Sequence, residues 1–401
     1  MTWKAILVGS ILRISLAAML FSDAALNAAS PQIELIGKLA IRGDHRDATE
    51  DQRKLEDGSH ANQFGGLSGI EYRGTGNRFL LLADRGAGDG AVTYHCRYHE
   101  VELAADPATG TLSFQLESTH LLHTLAGEPL VGSSAAHQQH QHNKNAKHAW
   151  TAFDPEGIRL LADQSLLLSD EYGPHIVVVD PSGRISYEFT VPDKFRLREP
   201  ENGVVQQGIY SNRGLEGIAV TPSGNRMIAL PQSPLIQDAV IEDGKCLGLN
   251  CRSLVFDGNH NCIREIVYPL DNLASGTSEI LAIDEERLLV LERDSKAGLE
   301  AKTKKIFLID IAGASDVSGI ESLPKTDLPE NIIPAKKSLL IDLLEPRFGL
   351  GGENAHEKPE GLCWGPRLAD GRRTLWVCCD NDFDASISSE IYCFAVDGLD
   401  R

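Results

Sequence analysis

Acidic residues recur at two matching positions in five similar segments of the chain, residues 65–86, 154–173, 214–233, 276–295 and 358–382. The position that opens the segments holds, in order, Ser68, Glu156, Glu216, Glu279 (which follows Ser278) and Glu360. The position that ends them holds Asp84-Arg85, Asp170-Glu171, Pro231-Gln232, Glu292-Arg293 and Asp380-Asn381, with Asp294 and Asp382 close by. Carboxylates that meet around one axis repel each other unless a cation neutralises them. The repetition therefore predicts a cation-binding site.

Calcium suits such a site because it accepts roughly six to eight oxygen ligands from carboxylates, carbonyls and water. A metal-bound water beside further carboxylates is a hydrolytic arrangement, and arginine binds anionic groups. We expect metal ligands at Asp84, Glu171, Glu279, Glu292, Asp380 and Asp382. We expect catalytic roles for Glu156, Asp170, Glu216 and Glu360, and substrate binding by Arg85 and Arg293.

Short strands must position these residues. Each segment contains two apolar runs of four to eight residues separated by turn residues, which is typical of strands. Two further strands follow each of the first four segments, so the repeating unit is a four-stranded sheet, and no convincing amphipathic helix intervenes. This pattern predicts an all-β fold, a β-propeller of four-stranded blades around a central channel. Five blades are favoured, and six are the alternative because a degenerate blade could lie in 97–150 or 296–345.

The fifth unit has only three strands, whereas residues 32–41 form a strand before the first unit. We expect this N-terminal strand to complete the last blade and close the ring. Two polar insertions, residues 43–63 and 132–149, are predicted loops. The second contains His137, His140, His142 and His148, which could bind a metal, although a solvated loop is favoured because no apolar residue anchors the segment.

Residues 1–29 have the form of a signal peptide, with Lys4 followed by an apolar run and then small residues. The mature domain would be residues 30–401, located in the periplasm or secreted. The 401 residues carry a formal net charge of −19, which disfavours nucleic acid and anionic membranes as partners. After signal cleavage we expect no membrane association. The expected partner is a small anionic or ester substrate, and no signal reveals an oligomeric state.

Eight cysteines occur in this chain, and export permits disulfides. Cys246 and Cys251, in a Gly-rich stretch, are the favoured bridge. Cys378 and Cys379 are adjacent within a predicted strand and should point to opposite faces. They are expected to be small buried residues rather than a redox pair.

The stretches NRGLEGIAVTPSG (212–224) and PEGLCWGPRLADGRRTLWVCCDNDF (359–383) resemble the phytase-like (esterase-like activity of phytase) family of exported bacterial β-propellers. LSGIEY…FLLLADRG and DPEGIRLL…LLLSDEYG resemble it too, and the likeness runs from about residue 32 to 398. The resemblance implies an exported propeller related to calcium-dependent phytases, which hydrolyse phosphate esters in an acidic channel. The dense acidic motifs of those enzymes have no counterpart here, and the third segment has Pro231-Gln232 where an acid is expected.

Three functions remain open from the sequence. The first is a calcium-dependent hydrolase of phosphate or carboxylate esters, which uses the acidic channel. The second is a non-catalytic binding module in which calcium is structural, since strand-end acids often cap turns. The third is a scaffold in which the acids only join neighbouring blades. Enzymatic and non-enzymatic functions are therefore both compatible with the sequence.

Overall fold

Short apolar runs bounded by turn residues form strands throughout the chain, as the sequence predicts. The structure is a computed structural model that describes residues 31–141, 150–198 and 207–399. Its blades are five four-stranded antiparallel sheets, so the favoured five-bladed propeller is confirmed. The predicted signal peptide, together with His142 and His148, lies outside the described residues, and the side chain of His140 is not described.

The strands follow one order in every blade, from the channel outward. The chain enters with β1 (Gln32–Ile41). Blade 1 comprises β2 (Leu67–Tyr72), β3 (Arg78–Ala83), β4 (Arg97–Asp106) and β5 (Thr111–Leu121). Blade 2 comprises β6 (Pro155–Leu160), β7 (Leu166–Asp170), β8 (Ile176–Val179) and β9 (Ile185–Glu188).

Blade 3 comprises β10 (Leu215–Val220), β11 (Arg226–Pro231), β14 (Asn250–Asp257) and β15 (Cys262–Pro269), and a hairpin of β12 (Val240–Glu242) and β13 (Lys245–Leu247) interrupts it. Blade 4 comprises β16 (Gly276–Ala282), β17 (Arg287–Arg293), β18 (Lys304–Asp310) and β19 (Lys336–Asp342). Blade 5 comprises β20 (Lys358–Trp364), β21 (Arg373–Asp380) and β22 (Ser389–Asp397), with β1 as its outer strand.

The N-terminal strand closes the ring, as predicted. β1 pairs antiparallel with β22, from Gln32 opposite Asp397 to Ile41 opposite Ser389. The inner strands β2, β6, β10, β16 and β20 contact one another in this order, and β20 contacts β2. Apolar side chains fill the spaces between blades. Cys378 packs in the cluster with Phe79 of blade 1, whereas Cys379 packs with Leu291 of blade 4, so the adjacent cysteines do point to opposite faces.

Helices are short. They are α1 (Ala87–Gly90), α2 (Ser134–Gln141) and five 3-10 turns at Asp193–Phe195, Ile236–Asp238, Gly298–Glu300, Pro346–Phe348 and Gly352–Asn354. The α2 helix corrects the prediction that all of 132–149 is loop, and it carries His137, whose ring stacks on Tyr172. Residues 43–63 contain no helix or named strand, as predicted. Within the described ranges, none of the helices has the length and apolar character needed to cross a bilayer.

The predicted disulfide between Cys246 and Cys251 is wrong, because all eight cysteines are free. Cys246 lies in the β12–β13 hairpin opposite Ile241, whereas Cys251 lies in β14 opposite Tyr268. The two thiols therefore belong to different sheets.

Candidate acidic site at one end of the channel

A β-bulge near the start of every inner strand defines one end of the channel. The pairing register shifts between Leu67 and Gly69, and the four other inner strands shift at the matching place. A bulge leaves a residue out of the ladder and redirects its side chain. The residues so placed are Ser68, Glu156, Glu216, Ser278 and Glu360. In blade 4 the equivalent residue is therefore Ser278, and the expected opening residue Glu279 lies one position further along.

That next position is glycine in the other four blades, namely Gly69, Gly157, Gly217 and Gly361. The inner strands approach each other closely there. A Cβ on Gly217 would lie 2.5 Å from the backbone nitrogen of Ile280, and one on Gly361 would lie 2.9 Å from that of Ile70. Only in blade 4 does a charged side chain, Glu279, project from this narrow level.

Glu279 is fully buried, and its Oε2 lies 2.9 Å from Nη2 of Arg159. Arg159 belongs to blade 2 and Glu279 to blade 4. Because these blades are not neighbours, the ion pair crosses the channel. Arg159 also approaches Glu71 of blade 1 at 3.6 Å. Burial raises the pKa values of Glu71 and Glu279 to about 7, although Arg159 opposes both shifts. We call Arg159, Glu71 and Glu279 the interior cluster.

A cavity of about 290 Å³ lies at the bulged end of the channel, beyond the interior cluster. We call it the acidic cavity. Six acids and four cations line it: Asp84, Asp89, Glu156, Glu171, Glu216, Glu360, Arg85, Arg213, Arg293 and Lys358. The structure thus brings together nine of the twelve predicted site residues there or directly beside it, since Asp380 and Asp382 contact Lys358.

The residues that end each second strand follow one register. In blade 1, Leu67 precedes the bulge and pairs with Ala83, and Asp84 is the next residue after Ala83. The residues at the same place in the five blades are Asp84, Glu171, Gln232, Arg293 and Asp380. Adjacent strand residues point to opposite faces. The neighbours Asp170 and Glu292 therefore point away from the channel, and the prediction that placed them with the other acids was shifted by one residue.

The contacts of Asp170 and Glu292 confirm that both side chains point away from the channel. Asp170 accepts hydrogen bonds from the backbone of Asp154 (2.9 Å) and Tyr172 (3.2 Å), which holds a turn together. Glu292 accepts a hydrogen bond from the hydroxyl of Tyr268 in blade 3 (2.6 Å), and it pairs with Lys337 of its own blade 4. Asp170, Glu279 and Glu292 are thus absent from the lining of the acidic cavity.

Arg85 is held by three carboxylates. Its Nη1 donates to Asp154 and, at 2.7 Å, to Glu171, and its Nη2 donates to Asp89 at 3.1 Å. Arg293 donates through Nε to the Ser278 hydroxyl at 3.0 Å and through Nη2 to Glu360. Both arginines predicted to bind substrate therefore serve as internal counter-ions in this structure.

The sequence reasoning missed Asp154 and Lys358. Lys358 Nζ donates to Asp380 at 3.2 Å and also to Asp382. A signal was present, because both residues lie two positions before the bulge glutamate, whereas the other three blades have glycine there, at Gly66, Gly214 and Gly276. A charged residue at a position where the other blades have glycine is not needed for the fold of the blade. Such a residue is therefore a candidate for the functional site.

Glu156 differs from every other acid of the cavity. Its residue is only 6% exposed, and its carboxylate makes no hydrogen bond or ion pair with any described residue. Burial, followed by the negative charges of Glu216 and Asp154, raises the pKa of Glu156 well above its usual value. Glu216 resembles it: burial and the charge of Glu171 raise its pKa, and its one side-chain partner is the amide of Gln232.

Two groups of three carboxylates could hold a metal ion. Asp84, Asp380 and Asp382 form one group, and Asp154, Glu156 and Glu171 form the other; in each, one ligand oxygen per residue lies within 4.8 Å of the others. The all-oxygen donor set suits calcium. The first group offers carboxylate oxygens from three residues, so its residues fit the metal predicted from the sequence. In the second group, Glu156 has no hydrogen-bond or ion-pair partner among the described residues.

Comparisons with known proteins agree with the fold and do not assign an activity. Residues 62–383 match the family described as Phytase-like: Esterase-like activity of phytase. An uncharacterized secreted protein of Arthroderma benhamiae is 24% identical over 234 residues, which are 49% of this chain and 45% of that protein. The chain thus spans less than half the length of that relative.

Solved structures show only distant similarity. Hydrazine synthase of Kuenenia stuttgartiensis aligns with a TM-score of 0.38 and 11% identity over 84% of this chain and 80% of that chain. The PQQ-bound aldose sugar dehydrogenase of Streptomyces coelicolor aligns with a TM-score of 0.36 and 11% identity over 92% and 99%. Similarity at this level transfers no function.

Proposed function

The chain belongs to the phytase-like family, and from that premise we propose that it is an exported hydrolase of phosphate or carboxylate esters that works with calcium in the acidic cavity. The observation that carries the proposal is Glu156. The carboxyl group of this residue, which is only 6% exposed, faces other acids and has no described partner, and such an arrangement is costly for folding alone. Costly buried acids of this kind cluster at sites where they act on a ligand.

The residues divide into two roles in this proposal. Glu156 and Glu216, whose pKa values are raised, are protonated over a wider pH range than ordinary glutamates and can donate a proton to a leaving oxygen. The carboxylates of Asp84, Asp380 and Asp382 stay close enough together to hold an ion. Bound calcium would polarise the ester and lower the pKa of a water.

Metal analysis and a substrate panel test this proposal. The mature protein is expected to copurify with calcium, or to bind it in titration, and to hydrolyse a p-nitrophenyl phosphate or a p-nitrophenyl ester. Glu156→Gln should abolish most of that activity, whereas Glu117→Gln, an exposed glutamate of β5, should not. Absence of turnover with every substrate, with and without calcium, would reject the hydrolase.

A second candidate is a non-catalytic binding module that calcium stabilises. It is favoured by the ion pairs that Arg85, Arg293 and Lys358 form with the acids, because side chains already neutralise much of the cavity. Calcium binding that raises the melting temperature without any turnover would select this candidate. If chelation leaves the melting temperature unchanged and no metal copurifies, both calcium proposals fail.

Export to the periplasm or outside the cell is part of the proposal. The secreted relative supports it, as does the form of residues 1–29. Expression of the full chain with a C-terminal tag, followed by N-terminal sequencing of the exported product, tests it. A cleaved product that begins near residue 30 is expected, and an uncleaved cytoplasmic product would contradict export.

A further inference from the structure

Within the described ranges, four cationic side chains line the acidic cavity, and three of them are bound to carboxylates. Arg85, Arg293 and Lys358 each donate to at least one acid. Arg85 and Arg293 are also buried, with side chains 6% and 10% exposed. To bind a substrate anion they would have to release a buried carboxylate, which would then lose its counter-ion. These cations are therefore poorly suited to recognise a ligand.

Arg213 is the exception. It is exposed, and no described residue forms a hydrogen bond or an ion pair with its guanidinium. An arginine has five N–H donors in a planar fork that matches phosphate and carboxylate oxygens. Arg213 therefore presents unused donors at the edge of the acidic cavity.

The backbone holds Arg213 in place on blade 3. Gly214, which follows it, packs directly against the backbone of Glu171, so a side chain at that position would overlap the loop after β7. Asn212, which precedes it, has a φ of 58° and turns the chain sharply. The guanidinium reaches toward blade 4, because a Cβ on Gly276 would lie 3.6 Å from its Nη1. The charge thus lies across the mouth of the cavity between two blades.

Electrostatics explains why a cation is needed at that place. An anionic substrate that approaches the cavity meets the ionised acids of its lining, such as Asp89, which repel it. Burial raises the pKa of Glu171, and the charges of Arg85 and Arg213 oppose the rise, so Arg213 acts electrostatically on the cavity acids. An exposed, unpaired cation at the mouth would hold the anionic group while the ester lies deeper.

We propose that Arg213 binds the anionic group, phosphate or carboxylate, of a small substrate at the mouth of the acidic cavity. Arg213 then determines specificity for anionic over neutral esters, in place of Arg85 and Arg293. This inference rests on the proposed function, since it names the substrate class of the same site.

Kinetics of Arg213→Gln test the inference, with Arg42→Gln as the control. Arg42 carries the same charge but its side chain is 82% exposed and pairs with Asp44 outside the cavity. For p-nitrophenyl phosphate, Arg213→Gln should raise KM about tenfold or more with kcat within about twofold, as expected for loss of charge-assisted hydrogen bonds. Arg213→Lys should be intermediate, and neutral p-nitrophenyl acetate should be hydrolysed as by the wild type.

A binding measurement separates this inference from the proposed function. Inorganic phosphate is titrated into the mature protein in calcium buffer by calorimetry. Arg213→Gln should weaken phosphate binding about tenfold, whereas Arg42→Gln should bind as the wild type does. This result would support the role of Arg213 even if no ester were hydrolysed. Equal phosphate affinity of Arg213→Gln and wild type, an unchanged KM, or no phosphate binding by the wild type would overturn it.

Discussion

The channel contains two groups of charged residues, the interior cluster and the acidic cavity, whose carboxyl groups are neutralised in different ways. In the interior cluster, one guanidinium crosses the channel and lies between two carboxyl groups, Glu71 and Glu279. In the acidic cavity, two arginines bind three of the six lining acids, yet Glu156 has no described partner. Both carboxyl groups of the interior cluster thus have a counter-ion within the fold itself. Glu156 of the acidic cavity has no ion-pair partner among the described residues, and under the proposed function that difference separates a structural charge network from a ligand site.

The largest expected effect comes from the interior cluster. Arg159→Met should lower the free energy of unfolding by about 3–5 kcal/mol, because it leaves Glu279 buried without its counter-ion. Urea denaturation measures this loss. The double variant Arg159→Met, Glu279→Leu should recover much of it, since replacing both members of a buried pair removes the unpaired charge. A double variant as unstable as the single one would show that the pair is not what stabilises the channel.

The contrasting change in the cavity should affect activity rather than stability. Glu156→Gln removes a repelled carboxyl, so we expect the free energy of unfolding without calcium to be unchanged or higher. Loss of the proton donor should lower kcat about 100-fold on any ester the protein hydrolyses. Steady-state kinetics and thermal denaturation of the same preparation test both parts. A strongly destabilised Glu156→Gln protein would place Glu156 with the structural charges.

Calcium should act on only one of the two groups. At about ten times its Kd, the ion should raise the free energy of unfolding of the wild type by about 1.4 kcal/mol through mass action. Asp380→Asn should reduce this gain, and Glu279→Gln should retain it because Glu279 lies outside the cavity. Calorimetric melting with and without a chelator provides the measurement. An equal response of both variants would erase the distinction between the groups.

The smallest effect is a pH dependence from the interior cluster. The pKa values of Glu71 and Glu279 are raised to about 7 in the folded protein, from an ordinary value of 4.5. The folded state therefore binds protons more tightly than the unfolded state, and stability falls as pH rises from about 4.5 to 7. Glu71→Gln should remove about half of this slope, because Glu71 is one of the two groups whose pKa is raised. Chemical denaturation in a pH series would contradict the prediction if both proteins followed parallel curves.

The fold was predictable because its determinants are local. Short apolar runs, turn residues and the spare strand at residues 32–41 were enough for five blades and a ring closed by the first strand. The acids Glu156, Glu216 and Glu360 were found because the glutamate-glycine pair repeats. The failures came from register: a bulge made Ser278 rather than Glu279 the equivalent residue, and strand alternation turned Glu292 away.

Other parts of the site depend on contacts that sequence spacing cannot show. Which cation neutralises which acid follows from the arrangement of blades, so the pairing of Arg85 with Asp154 and of Lys358 with Asp380 became visible only in three dimensions. The same holds for Arg213, which follows no repeat. Its proposed role depends on the absence of a hydrogen bond or ion pair with any described residue.

The pairing of β1 with β22 has a consequence for how the protein forms. The last blade combines the first and the last strand described, so β1 has no partner until β22 has been synthesised. The ring therefore cannot close before the C-terminal strand is present, and this delay is compatible with the export that we propose. Removal of β1 should therefore expose the edge of β22, whose side chains are almost all buried in the complete blade, and other chains can join that edge to form aggregates.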